Sequence, residues 1–529
     1  MNGTAALLRL FARRDRVILP LWVLAIGLVP LLYAVSFEGL YPTAADRQAF
    51  YEATAHTPAE LALVGPIFGD DLGALVTWRS GILLTLVPLA ALLTVVRHTR
   101  AEEDTGRTEL VGSTAIGRRA GLCAAMALAT TGVVLTAAIA ATALAASGFP
   151  VGGSVAFGLS IAAVGVVFVG VAAVAAQVGS NARAARGYAI SVLAAAFVLR
   201  AVGDAGTSGT SGSSGTLSWL SPIGWSSQLR PFADERWWVL VLPAAAATVA
   251  AGLAFALALR RDLGAGLVAV RDGKPSTSMQ GVFGLAWRAQ RGTLLAWTVG
   301  LAVIAAVLGS AADSVQGQLG ESAAIGDALS KFGGSSLVDS FLATALSILG
   351  IGAAAMSISS VLRVHADEES SITEVVLAGS VGRTRWLVST LVFALGGPAV
   401  AMTVVGFAAG VPYGMSVVDV RSVLPGVLAG AVSQLPAVWV LTASGIVLFG
   451  FVPRFSAAVW GLLAVFVMLG QVGTVVGLPQ LVLDLSPFTH LPHLPGGAVE
   501  VVPLMWLVAV SAVGLVAGVV AFEHRDLRG

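Results

Sequence analysis

The sequence predicts an all-α polytopic membrane protein of about twelve transmembrane helices, built as two tandem six-span repeats. Three observations carry this. First, of 529 residues 57% are hydrophobic and only 11% charged, where a soluble domain carries roughly 25% charge; mean hydropathy is +0.88. Second, apolar stretches of spanning length, about 20 residues, recur from end to end. Third, a charged island at Arg97 to Arg119, RHTRAEEDTGRTELVGSTAIGRR, returns 265 residues later at Leu362 to Thr384 as LRVHADEESSITEVVLAGSVGRT. In that register Glu102, Glu103 and Asp104 meet Asp367, Glu368 and Glu369. Thr105 meets Ser370, Thr108–Glu109 meets Thr373–Glu374, and Gly117–Arg118 meets Gly382–Arg383. An offset near half the chain length marks a duplicated unit: 1–265 as the first repeat, 266–283 as a linker and 284–529 as the second.

Taken in order, Thr4 to Arg16 places Leu7, Leu8 and Phe11 on one side of a helix and Arg9, Arg13 and Arg16 on another. This is the pattern of a basic amphipathic helix lying on a membrane surface. A secretory signal is the rival, with Ala34-Val-Ser36 resembling a cleavage site, but the apolar run from Val17 to Tyr33 exceeds a usual signal core and reads as the first span. The second repeat opens alike: Arg13, Arg16 and Trp22 map onto Arg288, Arg291 and Trp297, at an offset of 275. With spans of about 20 residues, the first repeat crosses at 17–36, 76–96, 120–147, 151–178, 187–203 and 237–258. The second crosses at 292–311, 338–361, 386–411, 423–450, 456–477 and 501–521.

An even number of spans puts both termini on one side. Of the 30 Lys and Arg residues, all but Arg47, Arg79, Arg200, Arg230, Arg236, Lys331 and Arg421 fall on that side. By the positive-inside rule it is the cytoplasm, so both termini and both islands are expected there, with the chain multi-pass in a bacterial cell membrane.

Two further echoes support the duplication. Arg261-Asp262-Leu263, opening the Arg260 to Phe283 link, matches Arg525-Asp526-Leu527 near the C-terminus. A positive-inside anchor explains those arginines but not the repeated order. Leu220-Ser221-Pro222 matches Leu485-Ser486-Pro487; Ser as a cap followed by Pro in the first turn starts a helix. A short outer or re-entrant helix is therefore expected before each sixth span, making Ser221, Pro222, Ser486 and Pro487 outer-gate candidates. Gly203 to Gly215 reads as an exposed flexible loop. Trp219, Trp225, Trp237 and Trp238 beside it read as an interfacial belt, with a Trp-lined drug pocket as the alternative.

Catalytic sets are missing from the sequence. Gly273-Lys274-Pro275 lacks the first glycine and the hydroxyl of a phosphate-binding loop, and no HExxH or CxxC occurs. Cys123 stands alone in an apolar run, as a small buried hydrophobe. His490 and His493 have no second pair of ligands for a metal. The spans hold almost no acidic residues at mid-depth, which argues against an ion-coupled carrier. This leaves the islands. One acidic loop alone is a solvated connection. Two copies of [ED]-E-[DE]-[ST]-x-x-T-E, followed by Gly-Arg, suggest short surface helices over Thr105 to Ser113 and Ser370 to Ala378. Acidic residues leading into each favour its N-terminus. Such helices are docking elements for a cytosolic partner, with Gly117 and Gly382 ending the turn and Arg118 and Arg383 anchoring the next span at the headgroups.

The repeated EED-TGRTEL and DEE-SSITEV segments, the surface helix before the first span and the Ser-Pro helices resemble ABC-2-type exporter permeases. More narrowly, the chain is similar to the fused two-repeat actinobacterial exporters of polyketide antibiotics, of the tetronasin-transporter kind, over nearly its whole length. The resemblance implies an intrachain pseudo-dimer that exports amphipathic small molecules, antibiotics or drugs, along the interface of the halves. It implies two copies of a separate ATPase subunit that hold ATP and Mg, with no cofactor on this chain and no nucleic-acid partner. It makes Glu102 to Glu109 and Asp367 to Glu374 the coupling segments, unequal because Arg107 stands where the second island has Ile372. A lipid or cell-envelope substrate, a twelve-span ion-coupled carrier and a membrane-embedded transferase are the competing readings.

Overall fold

The computed structural model describes residues 3–55, 58–112, 116–205, 215–261, 266–268, 281–319, 337–369, 372–471 and 479–525. Among them the chain is helical, with no strand, and eleven helices are long and apolar enough to cross a membrane. It is an all-α polytopic membrane protein. Two compact units divide it, Met1–Asp272 and Gly273–Gly529.

In the first unit, α1 (Thr4–Arg14) buries Leu7 and Phe11 against Ala120, Ala124 and Leu128. The chain turns at Asp15 to Val17, and α2 (Ile18–Gly27) and α3 (Val29–Leu40) make the first span, bending at Leu28. Pro30 causes no gap there, because a first-turn N–H has no helical acceptor to miss. α4 (Ala44–Thr54) starts on a capping box: Asp46 N–H donates to Thr43 Oγ1 at 3.1 Å while Thr43 N–H donates to Asp46 Oδ2 at 3.1 Å. α5 (Pro58–Leu63) precedes α6 (Leu72–Arg79), whose Asp71 cap accepts from Ala74 N–H at 2.6 Å. Through a 3-10 turn α6 continues into α7 (Leu83–Arg97). The island forms α8 (Arg100–Asp104) and α9 (Arg107–Gly112). Then come α10 (Ala120–Ala146), α11 (Val151–Val178), α12 (Ala182–Ala205), α13 (Gly215–Ser218), α14 (Pro222–Ser227) and α15 (Val241–Arg260).

The core of this unit forms around α11. It is apolar on every side, as a helix surrounded by others must be, and Phe157, Ile161, Val164 and Phe168 are buried against Leu83, Leu92 and Val95 of α7 and Val133 and Leu144 of α10. Between helices in lipid, close backbone approach replaces the hydrophobic effect as the main source of cohesion. A Cβ at Gly158 would lie 2.8 Å from the Ala137 carbonyl oxygen, so α10 and α11 touch there through bare backbone.

The second unit comprises α16 (Val282–Leu319), α17 (Leu337–Glu369), α18 (Ile372–Leu377), α19 (Arg383–Ser416), α20 (Val420–Val432), α21 (Leu435–Phe451), α22 (Val459–Gln471), α23 (Gln480–Leu483) and α24 (Val501–His524). Its core joins Leu342, Leu346, Leu349 and Met356 of α17 to Met402 and Val405 of α19 and Leu435, Val438 and Leu441 of α21. At Gly309 of α16 a Cβ would overlap the Ala409 carbonyl of α19. Gly309→Leu is expected to force these helices apart and to destabilise the unit by about 1–3 kcal/mol or more, read as a fall in thermal stability of the detergent-purified chain; Gly300→Leu, where a side chain meets open space, is the control that keeps parental stability.

Several spans differ from the sequence expectation. The eleventh, expected over 456–477, appears as a 3-10 turn from Pro453 and a helix to Gln471, with apolar length only over Pro453–Leu469; residues 472–478 lie outside the described ones. The span expected over 423–450 is two helices meeting at Ser433 and Gln434 ahead of Pro436. The surface helix of the first unit has no separate counterpart in the second, where Arg288 and Arg291 lie inside the unbroken α16. In the same register Asp15, which pairs with Arg97 and His98 at the break, is replaced by Gln290, and Pro20, which has no N–H to continue a helix from α1, by Leu295. Gly203, expected in a loop, is buried within α12; residues 206–214, most of the 266–283 linker, Lys331, and the Asp-Leu of both Arg-Asp-Leu tags lie outside the described residues.

Candidate functional site

The two islands sit in matching frames. In the first unit Glu103 accepts from Arg100 at 2.5 Å and is paired with Arg261. Arg261 also donates to the Ala176 carbonyl, at 3.1 Å, at the end of α11. Arg118 in turn donates to the Arg261 carbonyl. In the second unit Glu368 pairs with Arg525 at 2.6 Å, Arg525 donates to the Phe449 carbonyl of α21 at 3.1 Å, and Arg383 donates to the Arg525 carbonyl at 2.9 Å. Each unit thus has the same clasp: an island glutamate, the arginine that follows the last span, and the arginine that opens the third.

The clasp explains the arginine that opens each Arg-Asp-Leu echo. An arginine fork bridges a carboxylate and a helix-end carbonyl at once, which lysine cannot do in the same plane. The carbonyls at Ala176 and Phe449 belong to last turns, where helical acceptors go unused. Side chains of Arg261 and Glu103 are 6% and 13% exposed, and those of Arg525 and Glu368 14% and 10%. Burial at this level makes the pairs costly to break one-sidedly.

The other sequence candidates fall around these clasps. Glu102 pairs with Arg14 of α1 at 2.6 Å and lies 3.8 Å from Arg107. Asp104 Oδ2 accepts from Ala182 N–H at 2.7 Å and so caps α12. Asp367 lies 3.8 Å from Arg363, and Glu369 ends α17. Thr373 is buried, Thr108 half-buried, and Glu109 and Glu374 are exposed. Both surface helices are short, Arg107–Gly112 and Ile372–Leu377; Gly106, at φ +70°, makes the left-handed turn before the first. Ser370, at the matching turn, lies outside the described residues. Gly117 is exposed, and Gly382 caps α19 from the N-terminal side.

At the opposite end of the first unit Ser221 caps α14 through Ile223 N–H at 3.2 Å and donates to the Ala196 carbonyl at 2.7 Å, with Pro222 in the first helical turn. In the second unit Ser486 donates to the Phe466 carbonyl at 3.0 Å, and Pro487 opens a 3-10 turn to His490. Both serines tie a short helix to the preceding span.

Residues 279–523 match the family described as "Multidrug efflux system permease Rv1217c, C-terminal domain". Over 532 aligned residues the chain is 48% identical to the Multidrug efflux system permease protein Rv1217c of Mycobacterium tuberculosis (strain ATCC 25618 / H37Rv), covering 100% of this chain and 96% of the relative. The chain belongs to the multidrug efflux permease family.

In this family member two polar groups have no sequence motif behind them. Asp15, buried at the break after α1, lies 2.8 Å from His98 Nε2 and 3.2 Å from Arg97, and Phe11 stacks on the His98 ring at 4.6 Å. This network turns α1 back over the island. Near the other end of α12, Arg200 and Asp204 are both buried and 3.7 Å apart, with Arg200 donating to the Ala62 and Leu63 carbonyls of α5. Their i, i+4 spacing on an apolar helix was the available signal.

Proposed function

We propose that the chain is the membrane-spanning permease subunit of an ATP-driven ABC exporter that moves amphipathic small molecules, drugs or antibiotics, out of the cell. Two copies of a separate ATPase subunit carry ATP and Mg, and each docks on one island, with islands and termini on the cytoplasmic side. The observation that carries this reading is the repeated clasp. Force applied to either island passes through Glu103 or Glu368 into the last span of its unit and, through the bridging arginine, into the end of α11 or α21. An unclasped loop would dissipate that force. The relative's printed description as a multidrug efflux system permease supports the substrate class.

The test is co-purification of the tagged chain with its candidate ATPase, followed by ATP hydrolysis with and without the chain. The expected result is one chain bound to two ATPases, with turnover altered by the chain. A chain that exports dyes without any nucleotide-binding partner, and stops when the ion gradient is collapsed, would overturn the reading.

A further inference from the structure

At the island end of the first unit, α1, the island and the start of α10 enclose a cavity of about 490 Å³, within the range of about 300–1,000 Å³ typical of ligand sites. Its lining is of two kinds: an apolar wall of Leu7, Leu10 and Phe11 of α1 with Ile116 and Leu122, and a polar wall of Arg107, Arg118 and Arg261 with Glu102 and Glu103, with His98 stacked on Phe11 at 4.6 Å.

The charges on the polar wall do not cancel. Glu102 is met at 2.6 Å by Arg14 from outside the cavity, and Glu103 by Arg100 as well as Arg261. The guanidinium of Arg118 is bonded to a neutral carbonyl. Arg107, 56% exposed, reaches Glu102 only at 3.8 Å. Among the described lining residues three arginines, Arg107, Arg118 and Arg261, stand against two carboxylates, Glu102 and Glu103, and both carboxylates are also paired from outside the lining, by Arg14 and Arg100. His98 is 2% exposed, and its Nδ1 is buried with no hydrogen-bond partner.

We propose that this cavity binds an anionic phospholipid of the adjoining leaflet, its phosphate between Arg107 and Arg118 and the upper part of one acyl chain along Leu7, Leu10 and Ile116. The apolar wall runs on into the bilayer: Leu10, Val17 and Ile18, on either side of the α1–α2 turn, are all exposed. A lipid there bridges α1 to the island and so sets the angle at which the island is presented. The second unit has Ile372 where the first has Arg107 and an unbroken α16 where the first turns, so the site belongs to one unit alone. It does not depend on the ATPase reading, because it is tested on the purified chain.

The experiment titrates the full-length chain in detergent with phosphatidylglycerol or phosphatidylcholine and counts bound lipid by native mass spectrometry. Phosphatidylglycerol is expected to bind at least fivefold more tightly than phosphatidylcholine. Arg107→Gln should weaken phosphatidylglycerol about fivefold, as expected for one cation at a membrane surface, and Leu10→Ser should weaken both lipids. Arg9→Gln, on the exposed face of α1 and outside the lining, should change neither. Both wall variants alter exposed residues, and parental size-exclusion profiles would confirm their fold. Equal binding of the two lipids, unchanged affinity in Arg107→Gln, or full displacement by glycerol phosphate at equal concentration would each overturn the proposal.

Discussion

Replacing Arg525 with alanine is expected to destabilise the second unit by about 3 kcal/mol and to cost most of its transport. Arg525 joins every part of that clasp. It pairs with Glu368 at 2.6 Å, donates to Phe449 O at 3.1 Å and has its own carbonyl held by Arg383 at 2.9 Å. Its guanidinium also lies 4.9 Å from the Phe449 ring and 5.5 Å from that of Phe522, so truncation removes packing as well as charge. What remains is a largely buried carboxylate with its guanidinium partner gone, the situation in which one-sided removal costs about 3–5 kcal/mol; the lower end applies because both side chains keep some contact with water. Arg525→Lys should recover little, since an ammonium cannot span carboxylate and carbonyl in one plane. Glu368→Gln with Arg525→Gln should be milder than the arginine change alone, because no charge is stranded. Thermal unfolding of the parent, Glu368→Gln, Arg525→Gln and the Glu368→Gln/Arg525→Gln double variant forms a double-mutant cycle. Additivity within about 0.5 kcal/mol would mean the two residues do not act together. In the first unit Arg261→Ala should behave alike, with Arg100 still beside Glu103 to soften the loss.

The sequence made the clasp residues visible without showing that they touch. Glu103 and Glu368 stand out because the islands repeat, Arg118 and Arg383 because Gly-Arg follows each island at the same distance, and Arg261 and Arg525 because the tag repeats. Their partners are more than a hundred residues away, and pairing over such a separation is decided by how the spans pack. No local pattern encodes it. The helical class was legible for a plainer reason: backbone groups in lipid must be satisfied within each segment, so long apolar runs have one available structure. Ends and breaks were less legible. At the turn after α1 Asp15 meets His98 and Pro20 stands in the first turn of α2, and the split between α20 and α21 falls just ahead of Pro436. The Arg200–Asp204 pair is marked in the sequence only by its i, i+4 spacing, and the α5 carbonyls that receive Arg200 are a contact visible only in three dimensions. Gly158 and Gly309 give no sign in sequence that they, among many glycines, face a neighbouring backbone.

Reversing the exposed carboxylates, Glu109→Lys with Glu374→Lys, is expected to leave ATP hydrolysis running while export falls at least tenfold. Neither residue is buried, and neither supports the clasps, so expression and thermal stability should match the parent. On the docking role proposed for the islands, a reversed charge there would meet a cation of the partner, and like-charge contact across an interface is costly. The two single variants should differ. Arg107 lies on the same short helix as Glu109, so lysine there leaves that helix with two cations, and the lost affinity should return partly as salt is raised from about 50 to 300 mM. Beside Glu374 stand Ile372 and Val375, 47% and 76% exposed, an apolar surface that keeps its value when the charge is reversed. Glu374→Lys should therefore weaken ATPase binding less and with less dependence on salt. Dye efflux from proteoliposomes, measured beside hydrolysis, separates coupling from assembly. Efflux at the parental rate in the double variant would remove Glu109 and Glu374 from the contact. Equal, salt-independent losses in the two single variants would mean that the islands do not meet their partners differently, and Arg107 would then belong to the lipid site alone.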